Sequence, residues 1–285
     1  MARGFGTVLG SASTDRIVTT VTANYTTTSF SLRFYRGSGS GGAAAGRLWD
    51  KEYNHGIYWW TVDSKIHFYV NWSTTIGDWS VSLPSAGAWH HLLLTYSTSS
   101  TANDPVIYID GVSVTVTEVS APSGTPPSTS DAIYVGNNGG YARVFDGSLA
   151  EFAVWNAILT AGNATSLAAK TLPTAIGSPV CYFRIFGDDS PETDATGNGY
   201  TGTVTGTAKT AHPIGVTTQE GYRWRLDDGT ETTATWAANQ DTGIVAPANS
   251  VRRLRMLLDT SGDANAANYQ LEYKEANAAN WTAIS

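Results

Sequence analysis

The chain has a single cysteine, Cys181, among 285 residues, so no disulfide can form within it. Stability must come from a packed core and not from covalent staples. Cys181 lies in the apolar run Val180-Cys181-Tyr182-Phe183, where a thiol serves as a small buried hydrophobe. Charge is also scarce, at 14% Asp, Glu, Lys and Arg, with a net charge of −7. There is no basic run, which argues against nucleic acid as a partner, because a phosphate footprint needs clustered cations. No stretch approaches the roughly 20 apolar residues of a bilayer-spanning helix, so no membrane partner is expected. The opening Met1-Ala2-Arg3-Gly4-Phe5-Gly6-Thr7 lacks the apolar stretch of a signal peptide. The expectation is a protein that stays in the cell that makes it or leaves by lysis. His-x-His pairs and cysteine clusters are missing, and the neighbours His90 and His91 would point to opposite faces of a strand, so no transition-metal site is expected.

What is present is β-forming. Ten Trp and fourteen Tyr accompany abundant Thr, Ser, Gly and Val, the composition of a sandwich with many turns. Phe30-Ser31-Leu32-Arg33-Phe34-Tyr35 alternates with period two, which predicts a sheet with one buried face. Gly56 to Thr61 and Lys65 to Trp72 read as a hairpin closed at Val62-Asp63-Ser64. Val106-Ile107-Tyr108-Ile109 turns through Asp110-Gly111 into Val112 to Val116, the strongest short hairpin signal, since a type I′ turn needs positive φ at both central residues. The one helix predicted runs from Thr160 to Lys170, with Thr160 as N-cap.

Four pieces then stand in order: Trp89-His90 opening a strand, Tyr108-Ile109-Asp110-Gly111, the strand Tyr134-Val135-Gly136, and Phe145-Asp146-Gly147-Ser148-Leu149-Ala150-Glu151-Phe152-Ala153-Val154-Trp155. A later Asp194-Ala195-Thr196-Gly197-Asn198-Gly199 completes the set. The series resembles the laminin G-like, concanavalin A-like jelly-roll family over about residues 1–210. The resemblance implies an all-β, two-sheet jelly-roll sandwich. Members include lectins, adhesion modules, glycosidases and virion domains, so fold alone does not fix function.

From Thr210-Ala211-His212-Pro213 the character changes. Residues 216–285 read as a small β module similar to part of a fibronectin type III or immunoglobulin sandwich, with four or five strands where about seven are needed. Its apolar face, Trp224, Leu254, Tyr269, Leu271 and Tyr273, must be covered by the first domain, by another copy or by a different partner.

Candidates for chemistry follow from the resemblance and the residues together. Retaining glycosidases of this fold carry a Glu-x-Asp-x-x-Glu strand, and none occurs here; Glu151 stands alone, with Asp146 on the opposite face of a regular strand. The expectation is a non-enzyme. Calcium-binding relatives use loop oxygens, which here would be Asp50, Asn137 and Asp146, with Asn138, Asp188 and Asp194 nearby in type; no other cofactor is expected. Sugar binding would use exposed aromatics, foremost Trp59 and Trp60, of which alternation sends one inward and one outward, and then Tyr58, Trp72, Trp79 and Tyr141. A lectin-like sandwich without leader, disulfide or catalytic set looks most like a virion component of a tailed bacteriophage, with partners among its own copies, capsid or tail proteins, and host-surface glycans. A carbohydrate-binding adhesin module is the alternative, and a glycoside hydrolase the third.

Overall fold

A computed structural model of the chain describes residues 2–6, 14–41, 44–52, 54–186, 190–214, 216–230, 232–233, 235–245, 247, 250–261, 272–273 and 282–283. The chain divides into two compact units, Met1–Pro213 and Ile214–Ser285.

Strands of the first unit are β1 (Ala2–Phe5), β2 (Arg16–Thr19), β3 (Thr27–Gly41), β4 (Ala45–Asp50), β5 (His55–Trp60), β6 (Lys65–Val70), β7 (Gly77–Ser82), β8 (Trp89–Ser97) and β9 (Val106–Ile109). They continue with β10 (Val112–Ser113), β11 (Thr117–Ser120), β12 (Tyr134–Val135), β13 (Phe145–Trp155), β14 (Cys181–Phe183), β15 (Glu192–Thr193), β16 (Thr201–Thr205) and β17 (Ala208–Thr210). One antiparallel sheet runs β10-β9-β8-β3-β13-β1-β17, with β14 also on β13; the other runs β11-β7-β6-β5-β4-β12-β2-β16-β15. Neighbours far apart in sequence are joined across both sheets, the arrangement of a jelly roll.

The core follows from alternation. Phe30, Leu32 and Phe34 of β3, Leu92 and Leu94 of β8, and Leu149, Phe152 and Val154 of β13 face Trp49, Ile57, Trp59, Phe68 and Trp79 of the other sheet. Each such side chain contributes about 1.5–3 kcal/mol on burial. Cys181 is fully buried among them, and burial pushes its thiol pKa up.

The signals that predicted the fold are met in detail. Asp110 and Gly111 have φ of 50° and 82°, the left-handed pair of a type I′ turn. Asp110 also anchors the strand behind it, accepting from the His91 amide at 2.8 Å. Gly136 has φ of 80°, and a Cβ there would lie 2.3 Å from the Phe5 ring. The helix, α1 (Ala161–Ala168), begins at Thr160, whose side chain accepts from the Asn163 amide in a capping box. It lies on the outer face of the first sheet, where Leu93, Tyr108, Trp155, Leu167 and Tyr182 form a second apolar cluster. Arg33 donates to the terminal helix carbonyls of Leu167 and Ala168 at 2.5 and 3.0 Å, satisfying orphan acceptors.

The second unit has β18 (Val216–Leu226) antiparallel to β19 (Arg252–Ser261), with a bulge between Gln219 and Gly221, and the short pair β20 (Glu272–Tyr273) and β21 (Thr282–Ala283). Residues 235–241 run back along the other edge of β18. Ala237 donates to the Trp224 carbonyl at 2.9 Å and Asp241 to that of Tyr222 at 2.8 Å. The sequence carries no alternation there and so predicts no strand.

Candidate functional site

Alternation also decides what leaves the core of the second sheet. In β5 Ile57 and Trp59 point inward, so Tyr58 and Trp60 point outward. In β6 Ile66, Phe68 and Val70 point inward, leaving Lys65, His67 and Tyr69 outside. Register sets Tyr58 beside both Arg47 and His67, and Tyr69 beside Asp78. On a regular strand residues 47 and 50 would face opposite sides. A bulge between Arg47 and Trp49 turns both outward, and Arg47 Nε donates to Asp50 Oδ2 at 2.6 Å.

Arg47, Tyr58, Trp60, Tyr69 and Asp78 line an open depression of about 430 Å³, together with Asn71, Ile76 and Arg143. Its floor is fixed by polar contacts. Asp50 accepts from Arg47 and, at 2.8 Å, from the Tyr69 hydroxyl. The Arg47 guanidinium lies over the rings of Tyr58 at 4.5 Å and Tyr69 at 5.1 Å. His67 is fully buried beneath Tyr58, with Nδ1 2.9 Å from Asp78 Oδ1 and Nε2 2.8 Å from Asp63 Oδ2. The imidazole stacks on Tyr58 and meets Trp60 edge-on. Burial by itself would lower the His67 pKa, but hydrogen bonds and charge from Asp78 and Asp63 outweigh it and raise the pKa. A ring with a carboxylate on each nitrogen donates from both, as the imidazolium does. Burial, and then the Asp78 and Asp50 charges respectively, push the Tyr58 and Tyr69 phenols upward, so both remain protonated donors.

Of the aromatics singled out in the sequence, Tyr58 and Trp60 lie on this face. Trp59, Trp72 and Trp79 are core residues and present no ring to a ligand. Tyr141 stands on the 137–143 loop with its ring 3.6 Å from the Arg16 guanidinium, which also bonds its hydroxyl. The face also depends on Arg47, His67, Tyr69 and Asp78, which sequence reasoning did not single out. The alternation of Lys65, His67, Tyr69 and Asn71 was the available signal for two of them. Nothing in the sequence announces the bulge that brings Arg47 to Asp50.

Most of the loop oxygens are engaged within the protein. Asp50 is spent on Arg47 and Tyr69. Asn137 Oδ1 accepts from the amides of Asn138 and Arg143 at 2.9 and 3.0 Å, which closes its own loop. Asp146 is buried on β13. Asp194 accepts from the Tyr182 and Thr196 amides, both at 3.0 Å, and Asp188 lies outside the described residues. Among the described residues no group of three or more His, Cys, Asp or Glu is placed to hold a metal.

Glu151 sits where β13 departs from regularity, with φ of 56° beside a register shift. The opposite-face argument from a regular strand therefore does not apply to it. It is buried, accepts from the Tyr182 hydroxyl and lies 3.2 Å from His212 Nε2 and 3.7 Å from Arg184 Nε. Through the Tyr182 hydroxyl this carboxylate ties β13 to β14.

In the second unit Trp224 and Leu254 are directly opposite each other across β18 and β19, and both are half-buried. Tyr273 pairs with Thr282 in the short ribbon, while Tyr269 and Leu271 lie outside the described residues. Arg223 and Arg225 hold their guanidinium groups 4.3 and 5.0 Å from the ring of Trp236.

No curated protein matches the chain in sequence. Among solved structures, a candidate carbohydrate-binding protein from Bacteroides ovatus is similar at 16% identity and a TM-score of 0.53, over 73% of this chain and 59% of that one. The chain thus spans about three fifths of the length of that relative. The native heptameric SAP-like pentraxin of Limulus polyphemus aligns at 14% identity and a TM-score of 0.47, over 72% of this chain and 95% of that one. Domains LG4-5 of the mouse laminin alpha1 chain align at 20% identity and a TM-score of 0.37, over 54% and 41%. At such identities the first of these is a likeness of fold, and the other two carry no argument. The model of the concanavalin A-like lectin/glucanases superfamily matches residues 11–164, more than half of the 285 residues. With the two-sheet jelly roll already traced strand by strand, the chain belongs to that superfamily.

Proposed function

We propose that the first unit is a non-catalytic glycan-binding module whose ligand lies on the outer face of the second sheet. The observation that carries this reading is the cluster of Tyr58, Trp60 and Tyr69 around the fixed polar groups Arg47, Asp50 and Asp78. Sugar C–H faces pack on aromatic rings, and hydroxyls need donors and acceptors already held in place. Cations and carboxylates are interspersed on this face, which suits a neutral sugar better than a charged one. Each carboxylate has a cationic partner, Arg47 for Asp50 and His67 for Asp63 and Asp78. That is the reverse of the apolar setting that keeps a glycosidase acid protonated.

The test is affinity electrophoresis of the full chain through gels holding neutral polysaccharides such as galactomannan, xylan or mixed-linkage glucan. Retardation by one of them that Trp60→Ala abolishes supports the reading. Uniform mobility in all of them, unchanged by the substitution, opposes it.

A second reading concerns context. Met256 and Leu257 on β19 are exposed apolar side chains at 42% and 56%, and exposed ribbons of this kind favour association. Assembly through the second unit with further copies or with phage capsid or tail proteins would use this strand. Light scattering of the full chain over a concentration series, beside Leu257→Lys, tests it: association lost in the variant supports assembly, and a monomer throughout opposes it.

A further inference from the structure

The deepest group of the proposed face is His67, and its geometry has a consequence for how that face behaves. Both ring nitrogens are committed to carboxylates, Nδ1 to Asp78 on β7 and Nε2 to Asp63 in the turn between β5 and β6. A neutral imidazole has one N–H and can donate to only one of them. Loss of the proton therefore releases one carboxylate and sets its charge against a ring lone pair. Asp78 lines the depression, with Oδ2 3.5 Å from the Tyr58 hydroxyl, and the Tyr58 and Trp60 rings rest directly on the imidazole. The ligand-facing aromatics and the ligand-facing carboxylate thus share one titrating support. The other charges around it are Arg47, over the far side of Tyr58, and Lys65 on the same strand, whose Nζ reaches Ser80 Oγ at 3.5 Å. Neither has a carboxylate to offer the ring, so Asp63 and Asp78 are its counter-charges.

We propose that glycan binding on this face is gated by the protonation of His67, which holds Asp63 and Asp78 together only while both of its ring nitrogens carry a proton. The inference rests on the glycan-binding reading above. Burial opposes the proton and the two carboxylates favour it; the net is a pKa above the ordinary histidine value of 6.5. The proton is therefore held to a higher pH than on an ordinary histidine, and the clamp is lost as pH rises through that raised value. If the bound ligand makes His67 one pKa unit more basic, affinity falls about tenfold across the titration.

The experiment uses the full chain with histidine ring nitrogens labelled with 15N, and follows two readouts from pH 5 to 9. One is the His67 ring signal, identified by its loss in His67→Gln. The other is retardation by galactomannan, xylan and mixed-linkage glucan in affinity gels at each pH. The expected result is a His67 midpoint above 6.5, retardation that weakens with the same midpoint, and a pH-independent response in His67→Gln. Asp63→Asn provides a second variant at an exposed turn position. It should move both midpoints down together. A His67 ring that stays neutral across the range, or retardation that ignores pH while His67 titrates, overturns the proposal and leaves the glycan-binding reading standing. Absence of retardation at every pH overturns both.

Discussion

The Tyr58 ring is stacked on the His67 imidazole with centroids 5.1 Å apart and planes 21° apart, so an aromatic that faces solvent is supported from below by a buried, doubly bonded histidine. Such a platform is preorganised, and little ordering cost remains to be met when a ligand arrives. Truncation of the platform should therefore be felt in binding more than in folding. Tyr58→Ala is expected to weaken retention by a neutral polysaccharide by about 1 kcal/mol, near fivefold, with a small change in melting temperature. Trp59→Ala, one residue on but in the core, is expected to cost about 3–5 kcal/mol of stability. Calorimetry beside affinity electrophoresis separates the two.

Arg47 and Asp50 form a pair at 2.6 Å, with the Asp50 side chain fully buried. Arg47→Ala removes the cation that donates to this buried carboxylate, which should cost about 3 kcal/mol. Adding Asp50→Asn lowers the buried charge, so the double variant is expected to be more stable than Arg47→Ala alone. Denaturation midpoints of the three chains check this.

His91 gives the chain an acid sensitivity of the opposite sign to His67. It is buried against Ser31, with Nε2 2.9 Å from the serine oxygen, and burial followed by the Arg33 charge depresses its pKa from 6.5 to about 3. The unfolded chain takes up a proton below pH 6.5 that the folded His91 refuses. Its contribution is complete above pH 6.5 and is lost as pH falls toward 3, amounting to about 2 kcal/mol by pH 5. A melting temperature that declines between pH 7 and pH 5, with a shallower slope in His91→Gln, is the expected outcome.

Gly147 lies in the Phe145-Asp146-Gly147 segment where β13 crosses β3, and a Cβ there would stand 2.0 Å from the Tyr35 carbonyl oxygen. Backbone cannot yield as a flexible side chain can. Gly147→Ala is expected to prevent accumulation of folded protein or to lower its melting temperature by more than about 10 °C, a loss of about 3–5 kcal/mol. Gly162→Ala, whose Cβ would meet nothing nearer than 3.7 Å, serves as the control.

These residues also mark what the sequence made legible. The Asp110-Gly111 turn and the Thr160 cap are local signals, each with one physical cause, and each predicted its element, whereas Gly136 and Gly147 entered through the family resemblance. The outward placement of Trp60 against the inward Trp59 followed from alternation once β5 was recognised. Trp72 and Tyr141 fall outside the depression for different reasons. Trp72 lies just past the end of β6 but keeps the parity of the inward Ile66, Phe68 and Val70, and it enters the core as they do. Tyr141 is on a surface loop, where its partner Arg16 is 125 positions away. Arg47, Asp50 and His67 needed the bulge and the strand register, and both are set by tertiary pairing across β4 to β7.

The measurement that tests the account most directly is an NMR titration of the tryptophan indole N–H signals of the full chain with fragments of the polysaccharide that retards it. Trp60→Phe assigns the Trp60 signal among the ten tryptophans. The account predicts that the Trp60 indole shifts in a saturable way while those of Trp59, Trp72 and Trp79 hold still. A Trp60 signal that stays fixed while another indole titrates would place the ligand elsewhere and contradict it.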